Sequence, residues 1–237
     1  DDRIKIYHHE NNSNKGRSAS RNLALQKATQ HFIAFLDADD FYLENRFEAD
    51  KQLFESDTEV DGVYNAVGFH FYRNVTEKES KELDLYTIND IIQPYELFEN
   101  LLNGKCGDFH LNGLTFRKNV LDKTGYFNIK LQVAVDTDLQ LKLALICKLL
   151  PGNLTQAVAL RGIHDTNIFN QENIYKQYRF EMYESLIDFT LKNNLSKRKI
   201  DLLLNWLFYY RYKEKYSLMT EFKYWIYLLK SNPKLLT

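Results

Sequence analysis

The chain has 237 residues, 44% of them hydrophobic, and its 31 basic and 32 acidic residues leave a formal net charge of −1. This length and hydrophobic fraction are enough for one large domain, or for one domain with an appendage. The balanced charge gives no general attraction for polyanions, and no run of about 18 apolar residues occurs, so the sequence predicts neither a nucleic-acid partner nor a membrane-spanning helix.

The N-terminal third of the chain alternates predicted strands with predicted helices. Residues 3–9, in which isoleucines alternate with polar residues, predict a short strand. Residues 17–30 predict a helix with Ser18 or Ser20 near its start. The apolar residues 32–36 predict a strand buried on both faces, as in a parallel sheet. A helix and further strand are predicted next, at residues 41–56 and 60–73. This alternation predicts an α/β domain.

The rest of the chain continues this pattern and then changes character. Residues 74–90 are polar and acidic and predict a surface excursion. Residues 94–103 predict a helix opened by proline, and residues 106–128 predict a strand followed by a short helix closed by glycine. Residues 136–150 predict a helix with two acidic residues in its first turn, and residues 157–167 predict a strand that runs into a loop. From about residue 172 the pattern is helical, aromatic and basic. We therefore predict a domain over residues 1–170 and a helical segment over residues 171–237.

Three carboxylates stand where the predicted strand FIAFL ends: Asp37, Asp39 and Asp40. Open α/β sheets bind ligands outside the carboxyl ends of their strands. Clustered carboxylates repel one another unless a cation neutralises them, and they suit Mg²⁺ or Mn²⁺, which keep positions open for substrate phosphates. The alternative is helix capping, with Asp39 or Asp40 at the start of the next helix. The triplet alone leaves both interpretations open.

The sequence around this cluster resembles the family-2 glycosyltransferases, which have the GT-A fold. Their pattern is a Gly-x-Ser-x-Ala-Arg-Asn helix followed by a strand that ends in Asp-x-Asp-Asp. It stands here as Gly16, Ser18, Ser20, Arg21 and Asn22, then Asp37-Ala38-Asp39-Asp40. Ser20 replaces the usual alanine, which is a small-for-small change. Spacing and order both match the family pattern.

Two later segments extend the resemblance over roughly residues 3–170. The family's acidic pair at a helix start matches Val135-Asp136-Thr137-Asp138, and its Arg-x-x-His-x-x-Asn loop matches residues 161–167. The chain departs from the pattern at Val135, where the family usually has glutamate. The family's first strand and its Asp-Asp-Gly-Ser segment, which hold the nucleotide base and ribose, are also lacking. We therefore expect either a fragment or a form that has lost this unit.

The resemblance implies an inverting transfer of a sugar from a nucleotide-sugar donor, a UDP-sugar in the first instance, to a hydroxyl acceptor. It places Asp39 on a Mn²⁺ or Mg²⁺ ion, and Asp37 on the ribose or on the same metal ion. It directs Arg21 to the nucleotide pocket and His164 to the metal ion or the diphosphate. Asp40 is expected to cap the helix or to support the ligands.

The resemblance also implies a general base, Asp136, which would take the proton of the acceptor hydroxyl. Asp138 is kept as the alternative base, and its other role is that of an acidic residue favoured at a helix start. The acceptor would be a sugar or a lipid-linked sugar. The setting would be bacterial surface polysaccharide synthesis, by a cytoplasmic protein that reaches the inner membrane face.

The aromatic and basic C-terminal segment has two interpretations. Its side chains would lie on a membrane interface, or they would pack in a core or between the subunits of a homodimer. Cys106 and Cys147, which are far apart and outside any Cys-x-x-Cys motif, are expected to be buried structural thiols.

Two other functions remain open from the sequence alone. A strand ending in Asp-x-Asp also opens the haloacid dehalogenase-like phosphatases, although Phe41 stands where those proteins typically have threonine or valine. A non-catalytic binding module that keeps the fold without turnover is favoured by Val135 and by the lacking first unit.

Overall fold

A computed structural model describes residues 1–165 and 172–236 of the chain. The chain divides into two compact units. The first comprises Asp1–Ile129 with Leu139–Asn170, and the second comprises Lys130–Asp138 with Gln171–Thr237. The predicted boundary between residues 170 and 171 lies outside the described residues and stays a prediction.

The first unit mixes strands and helices, which confirms the predicted α/β class. Up to residue 82 its elements are α1 (Gly16–Lys27), β1 (Phe32–Ala34), β2 (Phe41–Tyr42), α2 (Glu48–Ser56), β3 (Gly62–Tyr64), β4 (Val67–Phe71) and α3 (Glu77–Glu82). They are followed by α4 (Pro94–Leu102), β5 (Leu114–Arg117), α5 (Leu121–Thr124), α6 (Val135–Ile146), β6 (Leu149–Pro151) and β7 (Ala159–Ile163). The first turn of α6 is grouped with the second unit.

The described strands form two small mixed sheets. The four-stranded sheet has the order β1-β5-β3-β6, in which only β3 and β6 run parallel. The three-stranded sheet has the order β2-β7-β4, with β2 antiparallel and β4 parallel to β7. Because β2 follows β1 after only six residues, the carboxylate cluster lies in the connection between the two sheets.

A buried polar network ties the four-stranded sheet to the residues before and within α2. Arg46 and Asp50 are 1% and 3% exposed, and Nη1 of Arg46 lies 2.8 Å from Oδ2 of Asp50. The other oxygen of Asp50 accepts a hydrogen bond from Nδ2 of Asn65 at 2.7 Å. Nη2 of Arg46 donates to the carbonyl of Leu114 in β5 at 3.0 Å, and the Thr115 hydroxyl donates to Asp50. Each buried charge therefore has a charged or polar partner, as burial in a low-dielectric interior requires.

From residue 172 onward, the second unit is helical where the structure describes it. Its helices are α7 (Glu172–Lys192), α8 (Lys197–Lys213) and α9 (Leu218–Ser231), followed by a 3-10 turn over Pro233–Leu236. These helices match the prediction of a helical C-terminal segment. None of the described helices has both the length and the apolar character needed to cross a bilayer.

Three sequence predictions about this fold are wrong. Residues 3–9 form no strand, because Ile4 and Ile6 are 71% and 78% exposed and alternation stabilises a strand only where one face is packed. Strand β1 is not buried on both faces. It lies at the sheet edge, it pairs antiparallel with β5, and Phe32 is exposed. The helix predicted from residue 41 begins only at Glu48, because residues 41–42 pair with β7.

The predicted surface excursion at residues 74–90 is only partly correct. It contains the short helix α3, capped by the Thr76 hydroxyl, but it then returns to the first unit. Tyr86 forms a β-bridge with Val67, and Ile88 is buried beside Gly107.

Proline and glycine predicted two helix ends correctly. Helix α4 starts at Pro94, and α5 is closed by Gly125 in the left-handed region with φ of +73°. Both cysteines are free and buried, as expected, and burial raises the pKa of Cys147 to about 12. At neutral pH this thiol is therefore protonated and unreactive.

We expect Arg46→Met to lower the free energy of unfolding by about 3–5 kcal/mol, because it leaves the buried Asp50 carboxylate without its cation. Urea titration followed by circular dichroism measures this loss. Lys51→Met is the matched control, because Lys51 and Glu55 form a pair at the same spacing, 3.9 Å apart and largely exposed. This control should change stability by less than about 1 kcal/mol. Equal losses in the two variants would contradict the structural role of the network.

Candidate active site

The three carboxylates after β1 stand on one tight turn. The amide of Asp40 donates to the carbonyl of Asp37 at 3.1 Å, which closes a turn across residues 37–40. The turn brings the side chains of Asp37, Asp39 and Asp40 within a short distance of one another, where like charges repel. The structure resolves this repulsion by giving each carboxylate a different partner.

Asp37 is paired with Arg21 of helix α1. Nη2 of Arg21 lies 2.7 Å and 3.0 Å from the two carboxylate oxygens of Asp37. The Arg21 side chain is only 13% exposed, and its guanidinium also lies over the ring of Phe127, with Cζ 5.4 Å from the ring centre. The arginine is therefore held from both sides, and Asp37 keeps a partly exposed carboxylate beside a fixed cation.

The next residue of the helix motif, Asn22, fixes α1 against the same segment. Its Nδ2 donates to the carbonyl of Phe127 at 2.9 Å, and its Oδ1 accepts from the Phe127 amide at 3.0 Å. Asn22 anchors the helix and Arg21 reaches the carboxylate.

Asp39 is paired with His164, which directly follows strand β7. Nε2 of His164 lies 2.9 Å from Oδ2 of Asp39, and both side chains are partly exposed. The hydroxyl of Tyr72, just after β4, donates to the carbonyl of Asp39 at 3.2 Å. Residues 125 positions apart in sequence thus meet at the turn.

Asp40 turns inward and holds the surrounding backbone. Its Oδ1 accepts from the amide of Gly162 in β7 at 2.7 Å, and its Oδ2 accepts from Nδ2 of the buried Asn112. Burial raises the pKa of the Asp40 carboxyl, and the two hydrogen bonds oppose this shift. Asp40 caps no helix, since α2 begins eight residues later. The capping interpretation of this residue is therefore wrong.

Gly162 is required by the close approach of β7 to the turn. A Cβ atom at Gly162 would lie 2.3 Å from the carbonyl oxygen of Asp39, far inside van der Waals contact. Only glycine allows the two backbones this close. This approach places His164, two residues further on, against Asp39.

The Asp39 carboxylate at this turn is a hard oxygen donor of the kind that Mg²⁺ and Mn²⁺ prefer, and the imidazole of His164 beside it is a softer donor. Among the described residues, no three His, Cys, Asp or Glu side chains surround a single point. Asp39 and His164 nevertheless present a carboxylate oxygen and an imidazole nitrogen side by side at the surface. Mg²⁺ and Mn²⁺ sites that serve phosphate substrates commonly have one or two protein ligands and complete their shell with water and phosphate oxygens. Asp39 and His164 are the residues that would hold the ion.

Asp136 and Asp138 lie in the first turn of α6, as predicted. Asp136 is partly exposed, whereas Asp138 is fully buried and its amide donates to the carbonyl of Ala134 at 2.9 Å. Only Asp136 of this pair therefore has solvent access to its carboxylate. Acidic residues at this position are favoured by the positive end of the helix dipole.

Three residues that help to hold the turn in place were not singled out from the sequence: Gly162, Asn112 and Tyr72. Gly162 carried a usable signal, because a glycine inside a predicted strand often marks a close backbone approach. Asn112 and Tyr72 carried none, because their contacts join segments that are far apart in sequence. Thr166 and Asn167 of the matched loop lie outside the described residues.

Comparisons with known proteins identify the relatives of this architecture. The model of glycosyl transferase family 2 matches residues 1–125. A crystal structure of S. aureus TarS 1–349 in complex with UDP-GlcNAc aligns with a TM-score of 0.58 at 16% identity, covering 91% of this chain and 60% of the TarS 1–349 chain. The UDP complex of the same protein gives a TM-score of 0.54 at 15% identity, with 91% and 59% covered. No curated protein matches the chain.

These similarities confirm the GT-A fold expected from the sequence resemblance. At this level of identity they show the fold alone. The chain spans about three fifths of the length of the TarS 1–349 structures.

We expect Gly162→Ala to lower the free energy of unfolding by about 1–3 kcal/mol, because the new methyl group must push β7 away from the Asp39 carbonyl. Chemical denaturation measures the change. Gly68→Ala is the matched control on the neighbouring strand β4, because a Cβ there meets mainly the end of the Leu160 side chain, which can move. The control should cost less than the Gly162 variant. The reverse order of the two costs would contradict the close approach described for this turn.

Proposed function

Because the chain belongs to glycosyl transferase family 2, we propose that it transfers a sugar from a nucleotide-sugar donor to a hydroxyl group, with inversion at the anomeric carbon and with Mn²⁺ or Mg²⁺. The observation that carries this proposal is the Asp39–His164 pair, formed at the end of a strand by residues 125 positions apart. TarS, which shares the fold, has been crystallised with UDP-GlcNAc and with UDP. A UDP-sugar is therefore the first donor to test.

The chemistry needs positive charge near the leaving group. Breaking the anomeric bond leaves negative charge on the nucleoside diphosphate, and a divalent cation bound there supplies the compensating charge. Asp39 and His164 would hold this cation. Arg21 of helix α1 adds a fixed guanidinium beside the same turn, where it is paired with Asp37. We assign Asp37 and Arg21 to the donor nucleotide, and a direct contact of Asp37 with the metal ion stays a prediction.

The acceptor hydroxyl needs a base, and Asp136 is our candidate. A hydroxyl attacks well only while a positioned group removes its proton. Asp136 is partly exposed at a helix start, where the helix dipole favours the ionised carboxylate that a base requires. The burial of Asp138 argues against the alternative assignment. Attack on the face opposite the leaving group would invert the anomeric centre.

The wider setting belongs to the same proposal. The acceptor would be a sugar or a lipid-linked sugar of a bacterial surface polysaccharide, and the protein would work on the cytoplasmic side of the inner membrane. The family match gives no support to the phosphatase alternative. A non-catalytic binding module would bind a nucleotide sugar without turning it over, and the experiments below separate it from an enzyme.

We expect Asp39→Asn to weaken Mn²⁺ binding in the presence of UDP by about tenfold or more, the lower end of the loss seen when ligand-supporting groups are removed. Titration calorimetry measures the affinity. The fold should survive, because the side chain is partly exposed and keeps its size. Asp165→Asn is the matched control, because Asp165 adjoins His164 and is 86% exposed. A metal affinity that is the same in both variants would rule out Asp39 as a metal ligand.

We expect Asp136→Asn to lower the turnover of a UDP-sugar by roughly 10²–10⁴-fold, the usual contribution of a general base, with donor binding nearly unchanged. Release of UDP reports turnover, and thermal shift with the donor reports binding. Asp138→Asn should change turnover per folded molecule much less. Equal losses in the two variants would remove the assignment of Asp136, and donor binding without any turnover by the unmodified chain would favour the binding module.

A further inference from the structure

The helices α8 and α9 expose a run of large apolar side chains. We call it the hairpin surface, and it consists of Phe208, Tyr212, Leu218, Met219, Phe222 and Ile226. Leu218 is 89% exposed and Phe222 is 64% exposed. Single exposed apolar residues are ordinary, but a contiguous group of them marks a surface that binds something.

The spacing of these residues places them on one side of the hairpin. On α9, Phe222 lies four residues after Leu218 and three residues after Met219, and Ile226 lies four residues after Phe222. Residues three or four positions apart lie on the same side of a helix, so these side chains share one face. On α8, Phe208 and Tyr212 are stacked with ring centres 6.5 Å apart. Between the helices, Phe208, Leu218 and neighbouring residues line a groove of about 700 Å³.

The hairpin that carries this surface is held by partly buried polar contacts. Arg211 of α8 is buried, and its guanidinium contacts Glu221 of α9 at 2.8 Å and 3.2 Å. Its Cζ lies 3.4 Å from the ring centre of Tyr224, whose hydroxyl donates to Glu184 of α7 at 2.6 Å. The exposed apolar residues therefore project from a fixed helical frame.

The same part of the chain is strongly basic, although the whole chain is nearly neutral. Residues 196–236 contain nine lysines and arginines against three acidic residues. Lys213, Lys215, Lys223 and Lys230 are exposed and form no ion pair with any residue that the structure describes. These four cations flank the apolar side chains on α8, on the connecting turn and on α9.

We propose that the hairpin surface binds an anionic lipid bilayer, with the apolar side chains in the headgroup region and the lysines on the lipid phosphates. Basic residues beside aromatic and aliphatic side chains are typical of elements that lie in a membrane interface. Charge complementarity selects this occupant over a second copy of the chain. Self-association through the surface would bring two sets of unpaired lysines together, whereas anionic headgroups neutralise them.

Membrane binding would bring the protein to the lipid-linked acceptor, and its biological purpose therefore rests on that part of the proposed function. Its test measures vesicle binding and needs no donor, acceptor or activity. A failure of sugar transfer and a failure of membrane binding are therefore separate results.

The test is co-sedimentation of the full chain with vesicles. We expect binding to vesicles of phosphatidylcholine mixed with phosphatidylglycerol, and much weaker binding to phosphatidylcholine alone. Raising the salt from about 0.1 M to about 0.5 M should weaken the binding, because the lysine–phosphate attraction is screened. Lys223→Glu should lower the vesicle affinity by about fivefold or more, and Phe222→Ser by about tenfold.

Matched controls come from the first unit. Lys105→Glu and Ile91→Ser change an exposed lysine and a 78% exposed isoleucine, and they should leave vesicle binding unchanged. Equal binding to neutral and anionic vesicles, or no loss in the two hairpin variants, would overturn the proposal. Concentration-dependent dimerisation that Phe222→Ser abolishes, without vesicle binding by the unmodified chain, would assign the surface to a second copy instead.

Discussion

Three carboxylates within four residues repel one another, and the first unit brings separate segments together at the point where they stand. Arg21 arrives from helix α1 to pair with Asp37. His164 arrives from the end of β7 to pair with Asp39. Asp40 accepts hydrogen bonds from β7 and from the loop before β5. The partners of the turn therefore come from α1, from β7 and from the segment before β5, so the fold that packs these elements also assembles the site.

Strand β5 links this turn to the buried core. Asn112, which donates to Asp40, stands two residues before β5 begins. Leu114 and Thr115, at the start of the strand, are held by the buried Arg46–Asp50 pair. The same strand pairs with β1, which ends at Ala34, three residues before Asp37. The core network thus fixes the strand that positions one side of the site, so a loss of core stability is also expected to loosen the turn.

Helix ends that depend on single residues were predicted correctly from the sequence, whereas a strand whose partner is distant in the chain was missed. Pro94 and Gly125 mark helix ends through their own backbone preferences, and both predictions are confirmed. The motif resemblance identified the fold and singled out Arg21, whose pairing with Asp37 no spacing rule gives. The strand at residues 41–42 was predicted as helix, because its partner Leu160 lies 119 positions away and leaves no trace in the local pattern.

We propose that Asp39 and His164 together hold the divalent cation on which sugar transfer depends. The most direct measurement is a crystal structure of the chain grown with UDP and Mn²⁺, with anomalous data collected at the manganese absorption edge. We expect one anomalous peak within about 2.5 Å of both the Asp39 carboxylate and Nε2 of His164. A manganese peak bound by other side chains, with the Asp39–His164 hydrogen bond intact, would contradict it.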